Sequence, residues 1–326
     1  MATITYREAI RQAIDEEMEQ DENVILLGEE VGEYNGAYKV SQGLLDKYGA
    51  ERVIDTPITE GSFTGIGIGA AMAGLRPIVE WMTFNFSLQA MDQVINNAAK
   101  MRYMSGGQFS IPIVFRGPNG PAEALSSQHS QALQTFYTHV PGIKVISSAT
   151  PYDAKGLLKS AIRDNNPVIF MEAELMYSWQ GEVPTEEYVI PFGSADLKQE
   201  GNDVTIITYS KPLKIVMEAA KQLSDIDIHA EVVDLRSLRP LDEETILSSV
   251  QKTNRCVIVD ESWPMVSVAS HIGWMISNRC FDYLDAPIEL VMSEDVPMPY
   301  NCNLELSAQP SVEKVIKAVK KVLYLD

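Results

Sequence analysis

The chain has 326 residues, 45% of them hydrophobic and 22% charged, with a formal net charge of −19. That length allows two ordinary globular domains, and the acidic balance argues against nucleic acid or anionic membranes as partners, because both attract basic surfaces. Three widely spaced cysteines, Cys256, Cys280 and Cys302, form no CxxC pair, which argues against a zinc site or a disulfide framework and fits a reducing compartment.

The N-terminus shows neither an apolar signal core nor an Arg/Ser-rich transit pattern. This fits a bacterial cytoplasm, or a mitochondrial matrix or plastid stroma for a processed chain. Thr5 and Glu8 make a capping box, and Tyr6, Ile10, Ala13, Ile14 and Met18 share one face of the helix that follows. Strands are expected at Val24–Leu27, Arg52–Asp55, Ile78–Trp81, Ile111–Phe115, Ile143–Ser147 and Val168–Glu172, with helical patterns between them. The clearest helix is Leu88–Met104, with apolar residues at 3/4 spacing and Gly106-Gly107 as its stop. Strands alternating with helices predict an α/β fold, a mostly parallel sheet with helices on both faces.

A polar stretch, Trp179–Asp203, reads as a linker carrying an edge strand or two. A second α/β unit follows, with strands at Val204–Tyr209, His229–Asp234, Cys256–Asp260 and Ile288–Val291. Ser210-Lys-Pro and Leu241-Asp-Glu-Glu open helices in it. The last helix gathers Val312, Val315, Ile316, Val319, Val322 and Leu323 on one face.

Three segments carry candidate chemistry. In Arg52–Gly74 a short strand runs into Glu60 and then into a series of glycines and alanines. A helix of such residues lets a neighbour approach its backbone closely. A carboxylate at its mouth, with few polar neighbours in sequence, is expected to exchange a proton near neutral pH; a tightly packed core helix with a capping acid is the plainer alternative. Gly65-Ile-Gly67-Ile-Gly69 is not the spaced dinucleotide fingerprint, and there is no P-loop, no G-x-S-x-G and no HExxH. In Trp81–Gln89, Phe84 and Phe86 flank Asn85 at a strand's carboxyl end, as a stacking platform for a flat heterocycle or as two core phenylalanines. In Arg116–Ser130, a rigid Gly-Pro-Asn-Gly-Pro turn delivers His129 onto a polar loop, as an acid/base group or a surface histidine. All three lie beyond strands, on the edge where open α/β sheets bind ligands.

The string GEEVGEYNGAYKVSQGL (Gly28–Leu44) is followed in order by RVIDTPITE, AGLRPIVEWMTFNF, QVINNAAKMRYMSGG, PIVFRGPNG, QHSQ, AIRDNNPV and VVDLRSLRPLD. Over essentially the whole chain these strings resemble the beta subunits of thiamine-diphosphate-dependent 2-oxo acid dehydrogenases, the pyruvate type most of all. Branched-chain 2-oxo acid and acetoin types are the alternative. The resemblance implies a thiamine-diphosphate-binding fold: a pyrimidine-binding domain over 1–180, a linker over 181–202 and a transketolase C-terminal-like domain over 203–326. It implies half an enzyme, with thiamine diphosphate shared with an alpha subunit (two alpha and two beta chains) that holds most of the magnesium site. No Gly-Asp-Gly of the metal–diphosphate motif occurs here, which argues against a stand-alone transketolase-type enzyme. The presence of Glu60 argues against a non-catalytic assembly subunit. The implied reaction is decarboxylation of pyruvate, with acetyl transfer to the lipoyl group of a dihydrolipoyl acetyltransferase.

By the same resemblance, Glu60 matches the glutamate that exchanges a proton with the aminopyrimidine ring, and Phe86 the aromatic packed on that ring. His129 matches an active-site histidine, and Tyr34 a residue of the loop near the cofactor. Ile113, Ala161, Ile162, Asp164 and Asn166 match a structural potassium site built mainly of backbone oxygens; without the resemblance, Asp164–Pro167 is an ordinary helix-to-strand turn. The chain departs from the pattern at Gly61-Ser62-Phe63, where relatives read x-Gly-Phe, and at Ser262, where they often carry glycine.

Overall fold

A computed structural model describes residues 1–325. The chain divides into two compact units: unit 1 is 1–119 with 136–192, and unit 2 is 120–135 with 193–326.

Through residue 192 the elements are β1 (Ala2–Thr5), α1 (Tyr6–Gln20), β2 (Val24–Gly28), α2 (Leu44–Tyr48), β3 (Val53–Asp55), α3 (Glu60–Met72), β4 (Arg76–Glu80), α4 (Ala99–Met104), β5 (Val114–Pro118), α5 (Gln134–Thr138, whose first two residues fall in unit 2), β6 (Lys144–Ser147), α6 (Pro151–Arg163), β7 (Val168–Glu172) and β8 (Gln180–Val183). The parallel strands lie in the order β6-β7-β5-β4-β2-β3. Only half of the expected capping box forms: Thr5 accepts from the Glu8 amide at 3.2 Å, while the Glu8 carboxylate accepts from Arg11 and Gln12 and does not reach back to the Thr5 amide. The predicted stripe of α1 is buried against Ala154, Leu157, Leu158 and Ala161 of α6. The four residues ahead of α1 add a strand, β1, paired antiparallel with β8.

On the other face α3 lies almost on the sheet. A Cβ on Gly67 would sit 2.8 Å from the Val79 side chain, so only glycine permits this approach. Trp81 stacks on Phe115 at 5.1 Å and donates to the Thr64 hydroxyl.

Two expectations are corrected. The helix predicted over Leu88–Met104 is a 3-10 turn (Phe86–Ala90), a π-helical turn (Gln93–Ala98) and then α4. Apolar spacing reports which side faces the core, not how the hydrogen bonds are closed. The strand predicted over Ile111–Phe115 begins only at Val114. Pro112 has no amide to give a ladder, and the Ile113 amide turns back onto the Ile111 carbonyl.

Unit 2 continues with β9 (Asp196–Gln199), β10 (Val204–Thr208), α7 (Pro212–Ser224), β11 (Ala230–Asp234), β12 (Ser237–Arg239), α8 (Glu243–Thr253), β13 (Cys256–Val259), α9 (Val268–Arg279), β14 (Glu289–Val291), α10 (Cys302–Ala308) and α11 (Val312–Val322). Its sheet runs β14-β13-β10-β11-β9, with β9 the antiparallel edge strand. Thus β8 and β9 are the edge strands foreseen in the polar stretch. Asp242 caps α8 by accepting from the Thr245 amide. Among the described residues no helix is long and apolar enough to cross a membrane.

Candidate active site

Glu60 is the first residue of α3, and its side chain is buried. Beside it lies a groove of about 590 Å³ lined by Thr59, Gly61, Ser62, Gly65, Gln89 and their neighbours. The glycines shape this wall: a Cβ on Gly61 would stand 3.2 Å from the Gln89 carbonyl. Ser62 takes up the first turn of the helix, exposed and outside the left-handed region. The departure from the family pattern at this position therefore needs no glycine.

The carboxyl group that sequence reasoning missed is Glu29. It follows β2 directly, is buried, and faces Glu60 within hydrogen-bonding reach. Burial first, and the Glu60 carboxyl second, push Glu29 up from 4.5 to about 7. A carboxyl so placed stays partly protonated near neutral pH. The signal was present in the sequence: an acidic pair directly after an apolar strand, on the same sheet edge as Glu60.

Three buried side-chain oxygens at this edge have no hydrogen-bond partner: Glu29 Oε1, Thr56 Oγ1 and Thr59 Oγ1. Buried oxygens are nearly always satisfied in folded proteins, so such a cluster marks a place where a polar group is to be received.

The two phenylalanines divide their roles. Phe84 is wholly buried, edge-on to Trp81 at 5.3 Å and to Tyr137 at 5.7 Å. Phe86 is only half-buried at the start of the 3-10 turn. The core reading holds for Phe84, and Phe86 retains an accessible face. The Glu29–Gly43 loop that carries Tyr34 is clamped by Asp55, whose carboxylate accepts from the Gly32 and Glu33 amides at 2.6 and 2.9 Å. Tyr34 is exposed, with the Lys39 ammonium 3.3 Å from its ring centroid.

His129 belongs to the other unit. It is exposed in the 120–135 segment, and its amide donates to the Ser126 carbonyl. The two strongest sequence candidates thus sit on different units.

The predicted cation corner lies at the opposite end of unit 1's sheet. The Val168 amide donates to the Ile113 carbonyl, and the Asp164 amide to that of Ala161. Arg76 donates to the carbonyls of Ile162 and Asp164 at 3.0 and 3.2 Å. The Asp164 carboxylate pairs with Lys144 and accepts from the Asn166 amide and side chain. Burial opposes ionisation of Asp164, yet Lys144 and Asn166 together hold it below its ordinary value. The oxygens are hard donors of the kind such cations take, and the carbonyls of Ile113, Ala161, Ile162 and Asp164 already accept a protein bond. Among the described residues no group of three or more His, Cys, Asp or Glu side chains could hold a metal ion.

Fold and groove define a two-domain protein of the transketolase type. The transketolase pyrimidine-binding domain matches residues 2–180, and the transketolase C-terminal domain matches 193–315. A split-gene transketolase, an inactive beta4 tetramer, superposes with a TM-score of 0.81 at 22% identity over 99% of each chain. The transketolase of Campylobacter jejuni gives 0.70 at 14% identity over 99% of this chain and 47% of that one; both show the fold alone. The pyruvate dehydrogenase E1 component subunit beta of Rickettsia felis is 54% identical over 98% of each chain. Mitochondrial subunit beta-1 of rice is 54% identical over 98% of this chain and 87% of its own. The chain belongs to the family of pyruvate dehydrogenase E1 beta subunits.

Proposed function

We propose that this chain is the beta half of a thiamine-diphosphate-dependent pyruvate dehydrogenase, active only with an alpha subunit. The observation that carries this reading is the buried Glu29–Glu60 pair beside an open groove with unsatisfied oxygens, in a chain 54% identical to subunits of that name. These residues fit the cofactor's aminopyrimidine end. The ring needs a carboxyl able to give and take a proton, and an apolar face to lie against.

In this reading Glu60 hydrogen-bonds the ring and moves a proton to and from it. Glu29, partly protonated near neutral pH, stands beside Glu60 as a proton partner that adds no second full charge to the buried pair. Phe86 supplies the packing face, and Tyr34 lies on the adjoining loop. Bound thiamine diphosphate supplies an acidic carbon and an electron sink for decarboxylation of a 2-oxo acid. His129 acts as a proton donor or acceptor when the acetyl group passes to the lipoyl group of a dihydrolipoyl acetyltransferase. Two alpha and two beta chains would assemble, with magnesium held mainly by the alpha chains. Potassium would bind the free lone pairs at Ile113, Ala161, Ile162, Asp164 and Asn166 and stiffen the turn between α6 and β7.

The test is pyruvate decarboxylation with thiamine diphosphate and magnesium, with and without the alpha subunit. Activity in the mixture alone supports the reading. A well-formed mixed complex that turns over branched 2-oxo acids and not pyruvate would overturn the substrate assignment.

A further inference from the structure

Unit 2's sheet reverses its winding at β10. The chain leaves β10 for β11 on one side and returns through α8 to β13 on the other. Open α/β sheets receive ligands in the crevice beyond the carboxyl ends of such strands. Here the groups beyond β10 and β13 are bonded to the chain's own 120–135 segment. Gln134 Nε2 donates to the Tyr209 hydroxyl at 2.8 Å and to Asp260 Oδ1 at 3.1 Å. Lys211 Nζ donates to the Pro121 carbonyl at 2.7 Å and pairs with Glu261 at 3.1 Å. The Glu305 carboxylate accepts from the Ala124 amide at 2.7 Å. A Cβ on Gly120 would stand 2.7 Å from the Glu261 carboxylate. Gln134, Tyr209, Lys211, Asp260, Glu261 and Glu305 are all buried.

The segment is also strained where it is gripped. Ala124 and Ser126 both adopt left-handed backbone, with φ of 54° and 65°. Residues with a Cβ keep that conformation only where the surroundings impose it. The Glu305 bond falls on Ala124, and the Ser126 carbonyl receives the His129 amide.

We infer that Glu305, Lys211 and Gln134 are positioning residues: they hold the 120–135 segment in the ligand crevice of unit 2, and through Ala124 and Ser126 they set the backbone that carries His129. This rests on the role given to His129 above. Ser262 supports the same network, since its amide and hydroxyl both donate to Asp260 Oδ1 at 2.8 Å. The hydroxyl is a donor that a glycine there would lack.

The experiment uses the assembled complex with its alpha subunit and compares wild type, Glu305→Ala, Glu305→Gln and His129→Gln. Amide exchange over 120–135, kcat, pyruvate KM and thiamine diphosphate affinity are measured. Glu305→Ala is expected to speed exchange in the segment about tenfold or more, as loss of a charge-assisted bond requires. It is expected to lower kcat about fivefold, with KM and cofactor affinity within about twofold. Glu305→Gln keeps an acceptor opposite Ala124 and is expected to recover both. Unchanged exchange in Glu305→Ala, or faster exchange with unchanged kcat, overturns the inference. If Glu305→Ala does not assemble, Gln134→Leu takes its place under the same criteria. A His129→Gln complex with full kcat removes the role of His129, while the exchange data still decide whether Glu305 holds the segment.

Discussion

At the carboxyl end of unit 1's sheet, Glu29 and Glu60 face one another beside an open groove, and three buried oxygens there lack donors. At the carboxyl end of unit 2's sheet, Asp260 and Lys211 are equally buried but bonded to the 120–135 segment of the same chain, and Glu261 is paired with Lys211. Both edges are the ligand-binding side of a parallel sheet. The difference lies in what occupies the edge. In unit 1 the unbonded oxygens border an open groove; in unit 2 the chain's own 120–135 segment fills the space, and the buried Glu261 Oε2 meets the Lys211 ammonium as an ion pair. In the proposed function unit 1 supplies the carboxyl pair, and unit 2 supplies the held loop that carries His129.

The sharpest way to break this contrast is Glu60→Gln. An amide cannot exchange the proton, so decarboxylation in the assembled complex should fall about 10²–10⁴-fold with assembly retained; near-normal turnover would sink the assignment. Next is Lys211→Met on the closed edge, which leaves Glu261 buried without its cation. Unfolding by denaturant should show a loss of about 3 kcal/mol, and a loss under about 1 kcal/mol would mean that the frame does not depend on this pair. On the open edge, Phe86→Ala should weaken thiamine diphosphate binding about tenfold through lost stacking and packing, read by cofactor titration; unchanged affinity argues against the packing role.

The smallest effect concerns Glu29. Its carboxyl titrates near 7 in the folded chain and near 4.5 when unfolded. The folded state therefore holds more protons between these values, and Glu29 costs stability as pH rises through that window. Glu29→Gln should raise stability by about 1 kcal/mol at pH 8 and leave it unchanged at pH 4. An effect independent of pH, followed by thermal unfolding at both values, would show that burial does not raise the Glu29 carboxyl.

Much of this was legible in the residues. Strand–helix alternation, the α1 stripe and the caps at Thr5 and Asp242 are local patterns, and local hydrogen bonds and burial decide them. Glu60 stood out because small residues follow it. Glu29 did not, because its meaning is its distance from Glu60, and β2 and α3 meet only when the sheet forms. Phe84 and Phe86 were equivalent as letters; packing against Trp81 and Tyr137 made one of them core.

The sequence by itself determined the family, the α/β class and the identity of the acid at the mouth of α3, since these follow from ordered motifs and short-range periodicity. Only the tertiary structure decided that Glu29 faces Glu60, that the 120–135 segment belongs to unit 2, and that Glu305 meets Ala124. Those facts join residues far apart in the chain, and a pKa or a strained backbone is set by what surrounds a group in space.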